Sequence, residues 1–296
     1  MEGTYSDKEH GGFYDVNYIP NLTKLSEENI TFSNTDKIVG GALNSSGCDL
    51  TSGGLIGTSI GIPLNGRVIV LGHRYSNAYN LFNGIDATGD ILHNLGYYNE
   101  FLCGTDAVFG SRKSYFSTHS YDNILGLFEL EDKYGVSSQY INNFNGINDH
   151  QLFEIAKQEL QEVISQNDKF NFTIMTLDTH FPGEYRCEYC GNTYGGSYGN
   201  VLTCVDNTVY NFIEWCKTQD WYDDTTIVIT GDHTYMIDSE FLEPVDKSDY
   251  TRTIYNCFIN SKFDKQKLKD KGLLNNRQFV QTDMFPTILQ SIGVDC

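Results

Sequence analysis

A chain of 296 residues with 40% hydrophobic and 20% charged side chains is long enough to bury a sizeable core, as one large domain or two small ones. Its formal net charge of −19 argues against a nucleic-acid partner, because phosphate binding draws on a surplus of lysine and arginine. The same charge repels an anionic membrane surface unless a basic patch or a divalent cation intervenes. No apolar run approaches the roughly 20 residues of a membrane span, and the polar start Met1-Glu2-Gly3-Thr4-Tyr5 shows no signal peptide.

The first strand signal in chain order is Gly66-Arg67-Val68-Ile69-Val70-Leu71. Residues 149–166 then place Leu152, Ile155, Ala156, Leu160, Val163 and Ile164 on one side of a helix. An apolar strand follows at 170–177. The segment 185–200, rich in glycine, tyrosine and cysteine, reads as a loop. A second helix at 205–217 groups Val209, Phe212, Ile213 and Cys216, and leads to a β-branched strand at 226–230. A further strand at 253–260 and a helix at 283–292 complete the series. This alternation predicts an α/β fold, with a central, mostly parallel sheet sandwiched by helices. With no repeat and no linker, a single domain over 1–296 is expected, with a small C-terminal subregion after Glu243.

In open α/β sheets, ligands collect beyond the carboxyl ends of the strands. Three turns carry suitable groups: Leu50-Thr51-Ser52-Gly53-Gly54, Asp178-Thr179-His180-Phe181-Pro182, and Gly231-Asp232-His233. A carboxylate oxygen and an imidazole nitrogen suit Zn²⁺ or Mn²⁺, and a hydroxyl beside such a cation loses its proton more easily. Taken singly, each turn has an ordinary reading as a cap or tight turn. The eight cysteines are an even number, compatible with disulfides. Cys187-x-x-Cys190 has the opening spacing of a zinc knuckle, but Cys204 and Cys216 lack the second CxxC, so a disulfide or free thiols fit better.

Together these motifs resemble the phosphoglycerol transferases that decorate periplasmic glucans, relatives of lipoteichoic acid synthase in the alkaline phosphatase and sulfatase superfamily. The resemblance runs from Thr51 through Gly61-Ile62-Pro63-Leu64, and then Gly104-Thr105-Asp106 with Arg112, Phe116 and His119. It continues through Asp178-Thr179-His180, Cys204-Val205-Asp206, Asp232-His233 and Gln281-Thr282-Asp283-Met284-Phe285-Pro286. It implies Thr51 as nucleophile and metal ligand, with Asp232 and His233 as the other ligands of one divalent ion (Mn²⁺, Zn²⁺ or Mg²⁺). It implies that His180 contacts the phosphate and protonates the leaving alkoxide. Asp106, Arg112, Asp178 and, more weakly, His119 correspond to positions around the substrate.

The implied partners are a glycerophospholipid donor such as phosphatidylglycerol and a glycan acceptor. The implied location is the periplasm or cell exterior, with membrane contact through regions outside this chain. One departure stands out. The family's glutamate ligand, at the end of an opening apolar strand, would fall just ahead of Met1, so that ligand and the first strand are expected to be absent. Glu2 matches the next, non-ligating acidic position. Alternatives on the same fold are a phosphoethanolamine transferase or a phosphodiesterase- or sulfatase-type hydrolase, although the C/S-x-P-S-R sequence of sulfatases is missing. A catalytically inactive glycan- or headgroup-binding domain is the alternative from another class.

Overall fold

The computed structural model describes residues 1–64, 80–235 and 240–295, so the strand expected at 66–71 lies outside the described residues. The helices are α1 (Pro20–Glu28), α2 (Thr51–Ile60), α3 (Thr88–Asn94), α4 (Arg112–Thr118), α5 (Leu127–Tyr134) and α6 (Asp149–Gln166). They continue with α7 (Ser197–Cys216), α8 (Glu243–Asp246), α9 (Lys265–Asp270) and α10 (Met284–Ser291). The first five strands are β1 (Ala42–Leu43), β2 (Tyr98–Cys103), β3 (Asn123–Leu125), β4 (Gln139–Ile141) and β5 (Phe144–Gly146). After them come β6 (Phe170–Met175), β7 (Ile227–Thr230), β8 (Thr253–Ile254) and β9 (Asn256–Ile259). The chain divides into two compact units, Met1–Pro63 with Cys190–Cys296, and Leu64–Tyr189.

The unit Leu64–Tyr189 is built on a parallel sheet in the order β3-β2-β6, with Tyr98 opposite Phe170 and Cys103 opposite Met175. Helix α6 spans 149–166 as its periodicity predicts, with Leu152, Ile155, Ala156, Leu160 and Val163 buried. Asn148 caps it by accepting the Gln151 N–H at 2.9 Å. Strand β2 went unread in the sequence because Asn99 and Glu100, mid-strand, are polar yet buried. Tertiary partners make this possible. The Asn99 amide donates to the carbonyls of Gly89 and Ser120 at 2.9 and 2.8 Å. Burial pushes the Glu100 carboxyl up to about 7.

The other unit packs α10 on α2 and α1 on α7. Here the strands pair antiparallel, β7 with β9 and β1 with β8. Ile30, Phe32, Ala42, Ile254, Phe258, Phe279 and Met284 form its core, with Phe32 edge-on to Phe258 and Phe279. Helix α7 begins at Ser197, earlier than expected, and takes in the end of the glycine-rich segment. Gly199 serves packing there, since a Cβ would lie 2.8 Å from the Tyr18 ring.

Asp206 on α7 closes the N-terminus of α1. Its carboxylate accepts the backbone N–H groups of Asn21 and Leu22 at 3.0 and 2.8 Å. Burial raises its pKa from 3.8 to about 6, with those hydrogen bonds opposing. The folded state therefore holds the proton more tightly than the unfolded chain. This stabilisation is full below the unfolded value and is lost as pH rises through the folded one. Relative to Asp206→Asn, whose side chain does not titrate, the wild type should lose about 2 kcal/mol between pH 4 and pH 7. Urea midpoints of the two proteins across that range measure the difference, and parallel curves would contradict it.

Candidate active site

Thr51 is the first residue of α2, entered from an extended Leu50 (φ −126°, ψ 154°). Three glycines in this short helix would weaken it in isolation, each by roughly 1 kcal/mol relative to alanine. Their use is close approach. A Cβ at Gly54 would lie 1.9 Å from the Asp232 carbonyl oxygen, and one at Gly57 would lie 2.6 Å from Cys48 Sγ. Strand β7 ends at Thr230, and the chain then turns against that bare helix face. The Gln281 amide donates to the same Asp232 carbonyl and holds the turn from the α10 side.

The three side chains meet. Thr51 Oγ1 lies 3.4 Å from His233 Nε2, and His233 Nε2 lies 3.3 Å from Asp232 Oδ2. His233 Nδ1 is 2.7 Å from the Thr234 carbonyl, which can only accept, so Nδ1 carries a proton. In the neutral ring the Nε2 lone pair then faces Asp232 and Thr51. Crowding pushes the Asp232 carboxyl up. The His233 imidazole and the Thr51 hydroxyl act against that effect, and the carboxyl is held below its ordinary value.

Because Gly54 sets the spacing between α2 and the turn, Gly54→Ala should keep the helix while forcing Thr51 away from His233. Turnover should fall by about tenfold or more, since small misplacements of a reacting group cost that much, with the far-ultraviolet spectrum unchanged. Full activity in that variant would show that the close approach is unimportant.

Glu2 is 1% exposed and fully engaged. Arg252 grips it through Nε at 3.0 Å and Nη2 at 2.6 Å, and Thr4, Tyr5 and the Tyr235 N–H also donate to it. A carboxylate so engaged is a structural anchor beneath the His233–Tyr235 segment, in keeping with a non-ligating position. Nothing in the sequence linked Glu2 to Arg252, 250 positions away.

The remaining expected residues belong to the unit Leu64–Tyr189. His180 follows β6, stacks edge-on to Phe144 at 4.8 Å, and its Nδ1 lies 2.7 Å from the Phe181 carbonyl. As in His233, Nδ1 is fixed to the carbonyl of the next residue. The turn is anchored by Asp149 in the first turn of α6, which accepts the Leu177 N–H at 2.6 Å and the Asp178 N–H at 3.3 Å. Sequence reasoning passed over Asp149, although an acid directly after Asn148 at a helix start was its signal.

Asp178 is buried beneath the turn, where burial and the Asp149 charge push its carboxyl far up and favour the neutral form. Arg112 is also buried, with Nη2 donating to Thr105 Oγ1 and the Asp106 carbonyl at 2.9 and 2.8 Å. It holds the Thr105–Asp106 turn. His119 is 1% exposed, with Nδ1 2.7 Å from Asp90 and Nε2 2.8 Å from the Leu81 carbonyl, and it packs on Tyr115. Both ring nitrogens face inward. Asp106 is half-buried, accepts the Val108 N–H at 2.9 Å, and lines a cleft of about 240 Å³ with Phe109, Phe128 and Phe144.

The chain is 26% identical over 303 residues to phosphoglycerol transferase I of Shigella flexneri and to that of Escherichia coli strain SMS-3-5. Those alignments cover 100% of this chain and 36% of each relative, so the chain spans about a third of their length. Among solved structures, an alkaline phosphatase superfamily protein from Vibrio parahaemolyticus superposes with a TM-score of 0.70 at 20% identity, over 100% of this chain and 64% of that one. Lipoteichoic acid synthase LtaP from Listeria monocytogenes gives 0.71 at 15% identity, over 99% and 70%. Both likenesses confirm the α/β fold. The family model described as Sulfatase matches residues 10–294, which leaves little of the chain outside it, and the protein belongs to the sulfatase family.

Proposed function

We propose that this chain is the catalytic part of a phosphoglycerol transferase that moves phosphoglycerol from a glycerophospholipid to a glycan hydroxyl through a phospho-threonine. The observation that carries this reading is the placement of the Thr51 hydroxyl, at a helix N-terminus, 3.4 Å from His233 Nε2 and beside Asp232. The likeness to phosphoglycerol transferase I supports the choice of group transferred.

The site's chemistry fits a divalent cation. Asp232 Oδ2 and the His233 Nε2 lone pair stand 3.3 Å apart with a hydroxyl oxygen alongside, a mixed O/N donor set suited to Mn²⁺ or Zn²⁺. Thr51, Asp232 and His233 would hold it, and it would supply Lewis-acid stabilisation of negative charge on the phosphoryl oxygens.

The chain's own residues do the rest. The Thr51 hydroxyl proton has acceptors in the Asp232 carboxylate and His233 Nε2. Its oxygen bonds to phosphorus as the bond from phosphorus to the diacylglycerol oxygen breaks. That leaving oxygen takes a proton, which the family resemblance assigns to His180. A glycan hydroxyl then attacks the same phosphorus, and Thr51 leaves and regains its proton. In this reading the chain works in the periplasm or at the cell exterior, anchored through regions outside it. Among the described residues, no helix is long and apolar enough to cross a membrane.

The test is to incubate the protein with headgroup-labelled phosphatidylglycerol and Mn²⁺ or Zn²⁺, and then map label on peptides. A glycerophosphate adduct on Thr51 is expected. Diacylglycerol release with no label on Thr51 would defeat the covalent route.

A further inference from the structure

We propose that a cleft beside Tyr189 binds a neutral glycan, an inference that rests on the glycan-transferring reading above. The cleft measures about 320 Å³ and is lined by Tyr134, His150, Gln151, Glu154, Gln158 and Tyr189, among others. Its side chains come from the C-terminal end of α5, the first turns of α6, and the segment leading out of the His180 turn.

Three features select the ligand. The first is an aromatic plate. Tyr189 stacks on His150 with ring centroids 3.7 Å apart and planes 13° apart, yet the tyrosine remains 53% exposed. Held flat from behind, such a ring offers its open side to the C–H face of a pyranose with little loss of side-chain freedom. The second is a polar edge: Gln151, from the first turn of α6, lines the cleft and brings an amide to it. Gln158 and Glu154 on the same helix face supply further polar groups at the rim.

The third feature is charge. The Glu188 carboxylate, with smaller help from Glu154, pushes the Tyr189 phenol up. A field of that sign disfavours phosphate, sulfate and uronate groups and admits uncharged hexoses. An aromatic plate with amide groups at its edge, where Glu154 is already paired with Lys157, matches a neutral oligosaccharide better than a lipid headgroup or an acidic polymer.

Isothermal titration of the whole chain with cellohexaose and laminarihexaose tests this without turnover. Saturable binding of at least one of them is expected. It should weaken by about tenfold or more in Tyr189→Ala and Gln151→Ala, while Tyr189→Phe, which keeps the ring, should bind like wild type. Tyr189 is exposed, so its variants should fold; a thermal melt checks Gln151→Ala. No saturable binding of either sugar at millimolar concentration, or equal binding by Tyr189→Ala, would overturn the proposal. The labelled-phospholipid adduct at Thr51 is read with no glycan present, so the two ideas fail separately. An adduct without sugar binding removes the cleft alone, and sugar binding without an adduct removes the transferase mechanism alone.

Discussion

Thr51→Ala is expected to eliminate both the covalent adduct and transfer, lowering kcat by at least about a thousandfold, because in the proposed mechanism the Thr51 oxygen forms the bond to phosphorus. The folded state should be nearly unaffected. Thr51 sits on a partly exposed first turn, where truncating a side chain changes stability by roughly 0.5 kcal/mol. Thr51→Ser keeps the hydroxyl at the same helical position and should retain measurable transfer and a labelled peptide. Kinetics separate a nucleophile from a binding residue. If Thr51 only held substrate, alanine would raise KM and leave kcat and the adduct in place. Headgroup release from labelled phosphatidylglycerol, followed at saturating lipid, distinguishes the two outcomes.

Arg252→Ala is expected to be the most destabilising of the single changes considered, by about 3–5 kcal/mol, the range for leaving one partner of a buried ion pair uncompensated. Glu2 would keep its contacts with Thr4, Tyr5 and the Tyr235 N–H but lose the guanidinium that balances its charge. Arg252→Lys keeps the charge and loses the two-pronged grip, so its cost should be intermediate. The effect should reach the site as well, since Tyr235 follows His233 by two residues and is tied to Glu2 Oε1 at 2.8 Å. Urea unfolding measures the first effect, and turnover of the still-folded fraction measures the second. A midpoint within error of wild type would show that the pair adds nothing.

The fold was legible wherever one face of an element had to be apolar. Helix α6 and strands β6 and β7 announced themselves through Leu152 to Val163, Phe170 to Met175 and Ile227 to Thr230. Strand β2 did not, because buried Asn99 and Glu100 read as surface residues until their partners are known. The site divides in a similar way. Thr51, Asp232 and His233 were picked out by local turn chemistry and by resemblance, and the structure brings their side chains together. For Arg112, Asp178 and His119 the residue types suggested substrate contact, and only burial showed that they face inward.

Periodicity, turn residues and net charge depend on nearest neighbours and on sums over the chain, so the sequence by itself determined the α/β class and the elements beside the site. Which carboxylate meets which cation depends on contacts between distant segments. Glu2 with Arg252 and Thr51 with His233 are set by how helices and strands pack, down to a single missing Cβ at Gly54. Burial decides whether a charged side chain is a tool or a brace, and burial is a property of the folded chain alone.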